Sequence, residues 1–220
     1  ELNILWSLEQ TAKKYEDRVA VSDVNQELTW KGLVKKAQVI GAELSKKVQP
    51  GNPIPVLLEK SSETLAVMLG IVYAGCFYVP VNPMNPAERL RKIMEKLEPE
   101  VIISDEKGRE QLAAVGVGFE EKVIGPEILL PTTGTDLSEE QRSRLEQIQG
   151  QWKETDALYG IFTSGSTGTP KAIVVSHGAA SRFIRHFTEI FEITSEDVIG
   201  NQAPFDFDVS VKDIYSSIMT

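Results

Sequence analysis

The sequence predicts an α/β fold in which a mostly parallel sheet is flanked by helices. Short apolar runs bounded by turn residues alternate with longer stretches of helical periodicity, which is typical of sheets built from β-α-β units. The chain has 220 residues, of which 41% are hydrophobic and 25% are charged. This composition supports a folded core and excludes a disordered or collagen-like chain.

The first predicted helix covers residues 30–48. Its apolar residues recur at helical spacing and are Leu33, Ala37, Ile40, Leu44 and Val48. Residues 54–58 form a short apolar run between turn residues, as in a buried strand. Residues 65–74 are apolar on all sides and follow two serines that can cap a helix, which predicts a buried helix ending at Gly75.

The later elements follow the same rules. They are a strand over 77–81, a helix from Asn85-Pro86 to before Pro99, a strand over 101–104, a helix over 138–149, strands over 158–163 and 172–175, and a helix from Ser176. Ser138 and Gln141 fit a capping box at the start of the helix over 138–149.

The predicted organisation has three parts. Residues 1–104 form a first α/β subdomain, and residues 105–155, which are polar and rich in glutamate, form an insertion or linker with one helix. Residues 156–220 carry a glycine-rich loop and begin a second α/β subdomain.

Charge and cysteine content limit the possible partners. The formal charge is −9 and no stretch is strongly basic, which argues against nucleic acid and against an anionic membrane surface. Glycine, proline and asparagine interrupt the longest apolar run, so it does not predict a membrane span. The single cysteine, Cys76, fits a reducing cytoplasm. The chain starts without methionine, which suggests a piece of a longer protein.

The most informative segment is residues 163–171, which read Thr-Ser-Gly-Ser-Thr-Gly-Thr-Pro-Lys between two apolar strands. Glycines let backbone N–H groups approach a ligand, hydroxyls donate hydrogen bonds and lysine adds positive charge. Such a loop suits a polyphosphate, although it matches neither the Walker A nor the dinucleotide-binding pattern. The alternative is a solvated hairpin with no ligand.

The run from Phe162 to Lys171 resembles the phosphate-binding signature of the adenylate-forming (AMP-binding) superfamily. Three more segments are similar to the pattern of amino-acid adenylation domains of nonribosomal peptide synthetases. They are Leu28-Thr-Trp-Lys-Gly-Leu33, Tyr73-Ala-Gly-Cys-Phe-Tyr-Val-Pro80 with Val81-Asn-Pro83, and Phe207-Asp-Val-Ser210. The resemblance implies the N-terminal part of the adenylate-forming fold, cut before its C-terminal domain.

The resemblance also implies a chemistry, in which a substrate carboxylate attacks the α-phosphate of ATP and the resulting acyl group passes to a thiol. Thr163 and Lys171 are then the implied catalytic residues. The implied ATP-binding set is Thr163, Ser164, Gly165, Ser166, Thr167, Gly168, Thr169 and Lys171. Magnesium is the expected companion of ATP, with its ligand mainly beyond residue 220, and no metal-binding residue is assigned within this chain.

Residues 204–210 alternate apolar and polar side chains, which predicts a strand with one apolar face. On spacing alone, Asp208 or Ser210 caps the helix that follows, with Asp213 completing a capping box. The resemblance instead implies that Asp208 pairs with the α-ammonium of an amino acid. It also implies that Phe207 lines the acyl pocket and that Val209 and Lys212 shape side-chain specificity.

Three further side chains have competing interpretations. Lys212 is either an exposed partner of Asp208 one helical turn away or a group that binds an acidic substrate side chain. His177 and His186 are expected to lie on a helix, without a chemical role.

The implied function is therefore amino-acid activation by ATP, followed by loading of a carrier protein's phosphopantetheine thiol. One alternative is a D-alanine–carrier protein ligase, which residues 202–215 also resemble. Others are an acyl-CoA synthetase for a fatty or aryl acid and a nucleotide-binding module without turnover. The 220 residues alone are expected not to adenylate a substrate efficiently.

Overall fold

A computed structural model describes residues 3–116, 118–129, 136–163 and 170–220. The helices are α1 (Ile4–Lys14), α2 (Trp30–Leu44), α3 (Ser62–Tyr73), α4 (Ala87–Leu97), α5 (Glu106–Val115), the single turn α6 (Pro126–Leu129), α7 (Glu139–Gln149), α8 (His177–Ile190) and α9 (Val209–Met219), with a 3-10 turn at Phe119–Lys122. The strands are β1 (Val19–Ser22), β2 (Glu27–Thr29), β3 (Pro53–Leu57), β4 (Phe77–Pro80), β5 (Ile102–Ser104), β6 (Val123–Ile124), β7 (Ala157–Thr163) and β8 (Lys171–Ser176).

The described strands form one large sheet and one small one. The large sheet has the order β6-β5-β3-β4-β7-β8, and all neighbours are parallel except β8, which runs antiparallel to β7 at the edge. Strands β1 and β2 form a separate antiparallel pair. The predicted α/β fold with a mostly parallel sheet is confirmed, with one antiparallel edge strand.

Helices cover both faces of the large sheet. Neighbouring strand residues point to opposite faces, and they fall into two separate apolar clusters. Tyr78 and Ile103 pack in the cluster that contains α1, α2 and α3. Val79 and Ile102 pack with residues of α4 and α5. Because both faces of the large sheet are buried, its strands are continuous apolar runs in the sequence.

Helices α2 and α3 pack closely because each has a glycine at the crossing. A Cβ added at Gly41 would lie 2.5 Å from Cβ of Tyr73, and one added at Gly70 would lie 2.4 Å from Cγ2 of Ile40. Helix α3 is buried along its length, as its apolar composition predicts. Ser61 caps it by accepting a hydrogen bond from the Thr64 N–H, and Gly75 follows it with φ of 76°.

The segment 105–155 contains more structure than the one helix predicted for it. That helix is present as α7, with the predicted capping box between Ser138 and Gln141. Helix α5, the 3-10 turn, β6 and α6 were not predicted. Since β6 pairs with β5, the large sheet takes strands from all three predicted parts. The three-part division stays a prediction, but it does not separate two sheets.

The N-terminal elements were also not predicted. Helix α1 buries Ile4, Leu5 and Leu8, and Asn3 caps it. None of the helices in the described ranges is long and apolar enough to cross a membrane.

Candidate functional site

The glycine-rich loop is anchored by a strand pair. Thr163, the last residue of β7, pairs with Lys171, the first residue of β8, in the antiparallel ladder. Both residues are exposed. The remaining candidate residues, Ser164–Thr169, lie outside the described part of the chain. The ladder therefore brings a hydroxyl-bearing and an ammonium-bearing residue together at the two ends of this loop.

The C-terminal end of the glycine-rich loop is also held by a residue of helix α4. Lys96, on α4, donates a hydrogen bond to the carbonyl oxygen of Pro170 at 3.4 Å. Pro170 itself is buried, whereas Lys171 directly after it is exposed. The backbone position of Lys171 is thus fixed by β8 and by Pro170, while its side chain is exposed.

The segment before α9 is a turn and not the predicted strand. The N–H of Phe207 donates to the carbonyl oxygen of Pro204 at 3.2 Å, and the N–H of Ser210 donates to that of Phe207 at 3.0 Å. These local bonds use backbone groups that a strand would pair with a neighbour. The apolar residues share no buried face, since Phe207 and Val209 are 56% and 47% exposed.

Asp208 occupies the N-cap position of α9, as spacing predicts, but its side chain makes no capping hydrogen bond. The Ser210 hydroxyl donates to the carbonyl oxygen of Phe207 at 2.7 Å, so the capping box with Asp213 does not form. Asp208 is exposed and has no hydrogen-bond or ion-pair partner among the described residues. Its carboxylate is therefore available to a ligand.

Asp208 acts electrostatically on β7. Burial raises the pKa of the Tyr159 hydroxyl to about 12, and the negative charge of Asp208 adds to this effect. Tyr159 precedes Thr163 by four residues on the same strand, which corresponds to about 13 Å. The charge of Asp208 is thus felt on the strand that ends at the glycine-rich loop.

A group of three tyrosines supports this region, and the sequence analysis missed it. The rings of Tyr78 and Tyr159 stack with centroids 6.0 Å apart. The hydroxyl of Tyr78 lies 2.6 Å from that of Tyr215 on α9. Burial raises the pKa of both hydroxyls. A tyrosine on each of two apolar strands and on one helix is a visible signal, but their pairing depends on the sheet order.

Lys212 does not pair with Asp208 across one helical turn. Its Nζ lies 2.6 Å from Oδ1 of Asp213 and 5.7 Å from the ring centroid of Phe187 on α8. Asp213 is 9% exposed, and its other oxygen accepts a hydrogen bond from Nδ2 of Asn201 at 3.1 Å. Lys212 is partly exposed and keeps two N–H groups beyond the one directed at Asp213.

The other acidic side chain of residues 204–210 is Asp206. Asp206 lines a cavity of about 190 Å³ with residues that follow β3 and β4, and burial raises its pKa. Within the described ranges, no three acidic, histidine or cysteine side chains lie close enough together to hold a metal ion.

The two histidines lie on α8, as expected. His177 is its first residue and is 3% exposed, and its Nδ1 accepts a hydrogen bond from the N–H of Ile4 at 3.3 Å. Burial lowers its pKa to about 4. His177 therefore joins α1 to α8 as a neutral acceptor, and His186 is exposed on the same helix.

These features define the class of protein as an α/β protein whose candidate site lies beyond the carboxyl ends of its parallel strands. The chain belongs to the family of AMP-binding enzymes, whose model matches residues 8–220. This confirms the resemblance found in the sequence.

A curated relative agrees with this assignment, and two solved structures share the fold. Tyrocidine synthase 1 of Brevibacillus parabrevis is 30% identical over 213 residues, which are 96% of this chain and 19% of that protein. The nonribosomal peptide synthetase FmoA3 bound to AMPPNP has a TM-score of 0.81 at 23% identity, covering 99% of this chain and 22% of that one. VinN in complex with L-aspartate has a TM-score of 0.82 at 22% identity, covering 99% of this chain and 60% of that one. This chain thus spans only part of the length of each.

Proposed function

We propose that this chain forms part of a ligase that activates an amino acid with ATP and loads it onto the phosphopantetheine thiol of a carrier protein. The observation that carries the proposal is the Asp208 carboxylate, which is exposed and unpaired among the described residues and whose charge acts on Tyr159 of β7. A carboxylate at this position favours a substrate with an ammonium group, because the two charges attract and a hydrogen bond between charged groups is stronger than a neutral one.

The first half-reaction joins the amino acid to AMP. A carboxylate oxygen of the substrate attacks the α-phosphorus of ATP, the bond from that phosphorus to the β-phosphate oxygen breaks, and pyrophosphate leaves. No proton transfer is needed, so catalysis depends on positioning and on neutralising charge. Asp208 would hold the substrate ammonium while Phe207 and Val209 border the side chain.

The residues at the ends of the loop fit a polyphosphate. Thr163 offers a hydroxyl donor and Lys171 a positive charge, and both are exposed at adjacent positions of the ladder. Lys171 would neutralise charge on the departing pyrophosphate. Ser164, Gly165, Ser166, Thr167, Gly168 and Thr169 would complete the phosphate contacts, which remains part of the proposal. Magnesium, when bound, supplies further positive charge at the phosphates, and its ligands are proposed to come mainly from residues after 220.

In the second half-reaction, the carrier's thiolate attacks the acyl carbon and AMP leaves with the electron pair of the acyl–oxygen bond, which gives a thioester. The carrier protein and a cytoplasmic site of action belong to this proposal. Lys212 extends it to the substrate side chain. Because the ammonium of Lys212 keeps N–H groups beside the one directed at Asp213, it can bind an acidic side chain.

The test is amino-acid-dependent exchange of labelled pyrophosphate into ATP, measured on the complete protein with a panel of amino acids, fatty acids and aryl acids. Exchange that depends on one L-amino acid supports the proposal. Exchange with D-alanine alone would indicate a D-alanine–carrier protein ligase, and exchange with a fatty or aryl acid would indicate an acyl-CoA synthetase. Nucleotide binding without any exchange would indicate a binding module.

A further inference from the structure

Lys60 connects the end of a central strand to the segment that carries Asp208. It lies three residues after β3. Its Nζ donates to the carbonyl oxygen of Asn201 at 2.6 Å, to Oδ1 of Asn201 at 3.2 Å and to the carbonyl oxygen of Ala203 at 3.2 Å. An ammonium group has three N–H donors, so all of them are directed at this one stretch of backbone and side chain.

A second set of contacts holds the other end of the same segment. Nδ2 of Asn201 donates to Oδ2 of Asp213 at 3.1 Å, and Oδ1 of Asp213 lies 2.6 Å from Nζ of Lys212. Asp213 is buried within α9. Hydrogen bonds therefore run from Lys60 through Asn201 to Asp213 and Lys212, and they enclose residues 202–212.

Few other contacts hold this segment, and residues 201–208 have no helix or strand. Besides the bonds to Lys60 and Asp213, the described contacts that hold it are the turn bonds before α9, the bonds from the Ser210 hydroxyl and the packing of Phe205 against the main apolar cluster. Hydrogen bonds from a charged donor are stronger than neutral ones, and a loop held by several of them is confined. A carboxylate that pairs with a substrate ammonium depends on such confinement, since small displacements cost rate.

We propose that Lys60 is a positioning residue for the amino-acid site. Acting through Asn201 and Asp213, it fixes the segment that bears Asp208 and the direction of the Lys212 side chain. This inference rests on the proposed function but names a residue that touches neither the substrate nor ATP. It also accounts for the position of Lys60 at the carboxyl edge of the sheet, where it lines the cavity shared with Phe205 and Asp206.

The test compares Lys60→Met with a matched control, Lys107→Met, in the complete protein. Lys107 lines the same cavity, but its Nζ lies 3.9 Å from Glu59 and makes no bond to the described loop. We expect Lys60→Met to raise KM for the amino acid about tenfold or more while KM for ATP stays within about twofold. Lys107→Met should leave both unchanged, and Lys60→Arg, which keeps the charge and donors, should restore most of the affinity.

A second readout does not require activity. Amide hydrogen exchange of residues 201–212 should accelerate in Lys60→Met and not in Lys107→Met, while exchange in β3 and β4 stays as in the wild type. If Lys60→Met fails to fold, Asn201→Ala tests the same connection and should act in the same direction.

The outcomes separate the two proposals. The role of Lys60 would be overturned if Lys60→Met and wild type had equal KM values for the amino acid. Equal rates of amide hydrogen exchange in residues 201–212 would overturn it as well. An equal rise of the amino-acid KM in Lys60→Met and Lys60→Arg would also overturn it, and so would a parallel rise of the KM for ATP. A wild-type protein that shows no pyrophosphate exchange into ATP with any amino acid would overturn the proposed function itself.

Discussion

The hydroxyl oxygens of Tyr78 and Tyr215 lie 2.6 Å apart, and both side chains are almost completely buried. This bond joins strand β4 to helix α9 across 137 residues of sequence. The ring of Tyr78 also stacks on that of Tyr159. A polar contact between two buried groups is costly to break on one side only, because the remaining hydroxyl loses its partner.

Tyr215→Phe is therefore expected to lower the free energy of unfolding by about 1–3 kcal/mol. The double variant Tyr78→Phe with Tyr215→Phe should be less destabilised than the sum of the two single variants, because no unsatisfied hydroxyl remains. Urea unfolding followed by circular dichroism measures both values. Strict additivity would contradict the assignment of this bond.

The Lys171 ammonium is expected to act on ATP and not on the amino acid. Lys171→Met should lower kcat/KM for ATP by about 100-fold, since one charged group facing the phosphates is removed. The KM for the amino acid should stay close to the wild-type value. Initial rates of pyrophosphate exchange at varied ATP concentrations give the result, with Lys153→Met as the control for an exposed lysine near β7. An equal effect of the two variants would exclude the role of Lys171.

Protonation of His177 is expected to destabilise the protein in mild acid. Its pKa is lowered from 6.5 to about 4 by burial, so between these values the unfolded state binds a proton that the folded state does not. The contribution of His177 to stability is complete above about pH 6.5 and falls, by on the order of 3 kcal/mol, as the pH decreases toward 4.

Unfolding free energies measured from pH 7 to pH 4 test this prediction. His177→Asn keeps an acceptor for the N–H of Ile4 and removes the titration, so its stability should fall less steeply over this range. His186→Asn is the matched control, because His186 is exposed on the same helix. A wild-type and His177→Asn protein with the same pH dependence would be inconsistent with a neutral, buried His177.

Side-chain selectivity is expected to depend on Lys212. Lys212→Met should lower kcat/KM for glutamate or aspartate by about tenfold or more and leave neutral amino acids almost unaffected. Pyrophosphate exchange with paired acidic and amide substrates measures the ratio. A wild-type preference for leucine or alanine would show that Lys212 serves only Asp213.

Local patterns were sufficient to predict much of the fold. Apolar spacing located α2 and α4, because burial repeats with the period of a helix. A stretch that is apolar on all sides located α3, a capping box located α7, and short apolar runs located the strands of the large sheet apart from β6. The two-residue strand β6 gives no such signal. The alternation at residues 204–210 was misleading, since a turn with local hydrogen bonds satisfies the same backbone groups.

The candidate site was predictable only in part. The residues at the ends of the glycine-rich loop and the N-cap position of Asp208 follow from the sequence. The contact of Lys60 with Asn201 does not, because it joins positions 141 residues apart. Likewise, the pairing of Lys212 with its neighbour Asp213 depends on where Asn201 and Phe187 lie around α9.

The most direct measurement of the central claim compares an amino acid with its analogue lacking the α-amino group, in wild type, Asp208→Asn and Asp206→Asn. Wild type and Asp206→Asn should both strongly prefer the amino acid in pyrophosphate exchange. Asp208→Asn should lose about 100-fold or more in kcat/KM for the amino acid, lose the preference, and keep its KM for ATP. An Asp208→Asn protein that retains the wild-type preference for the amino acid would contradict the account.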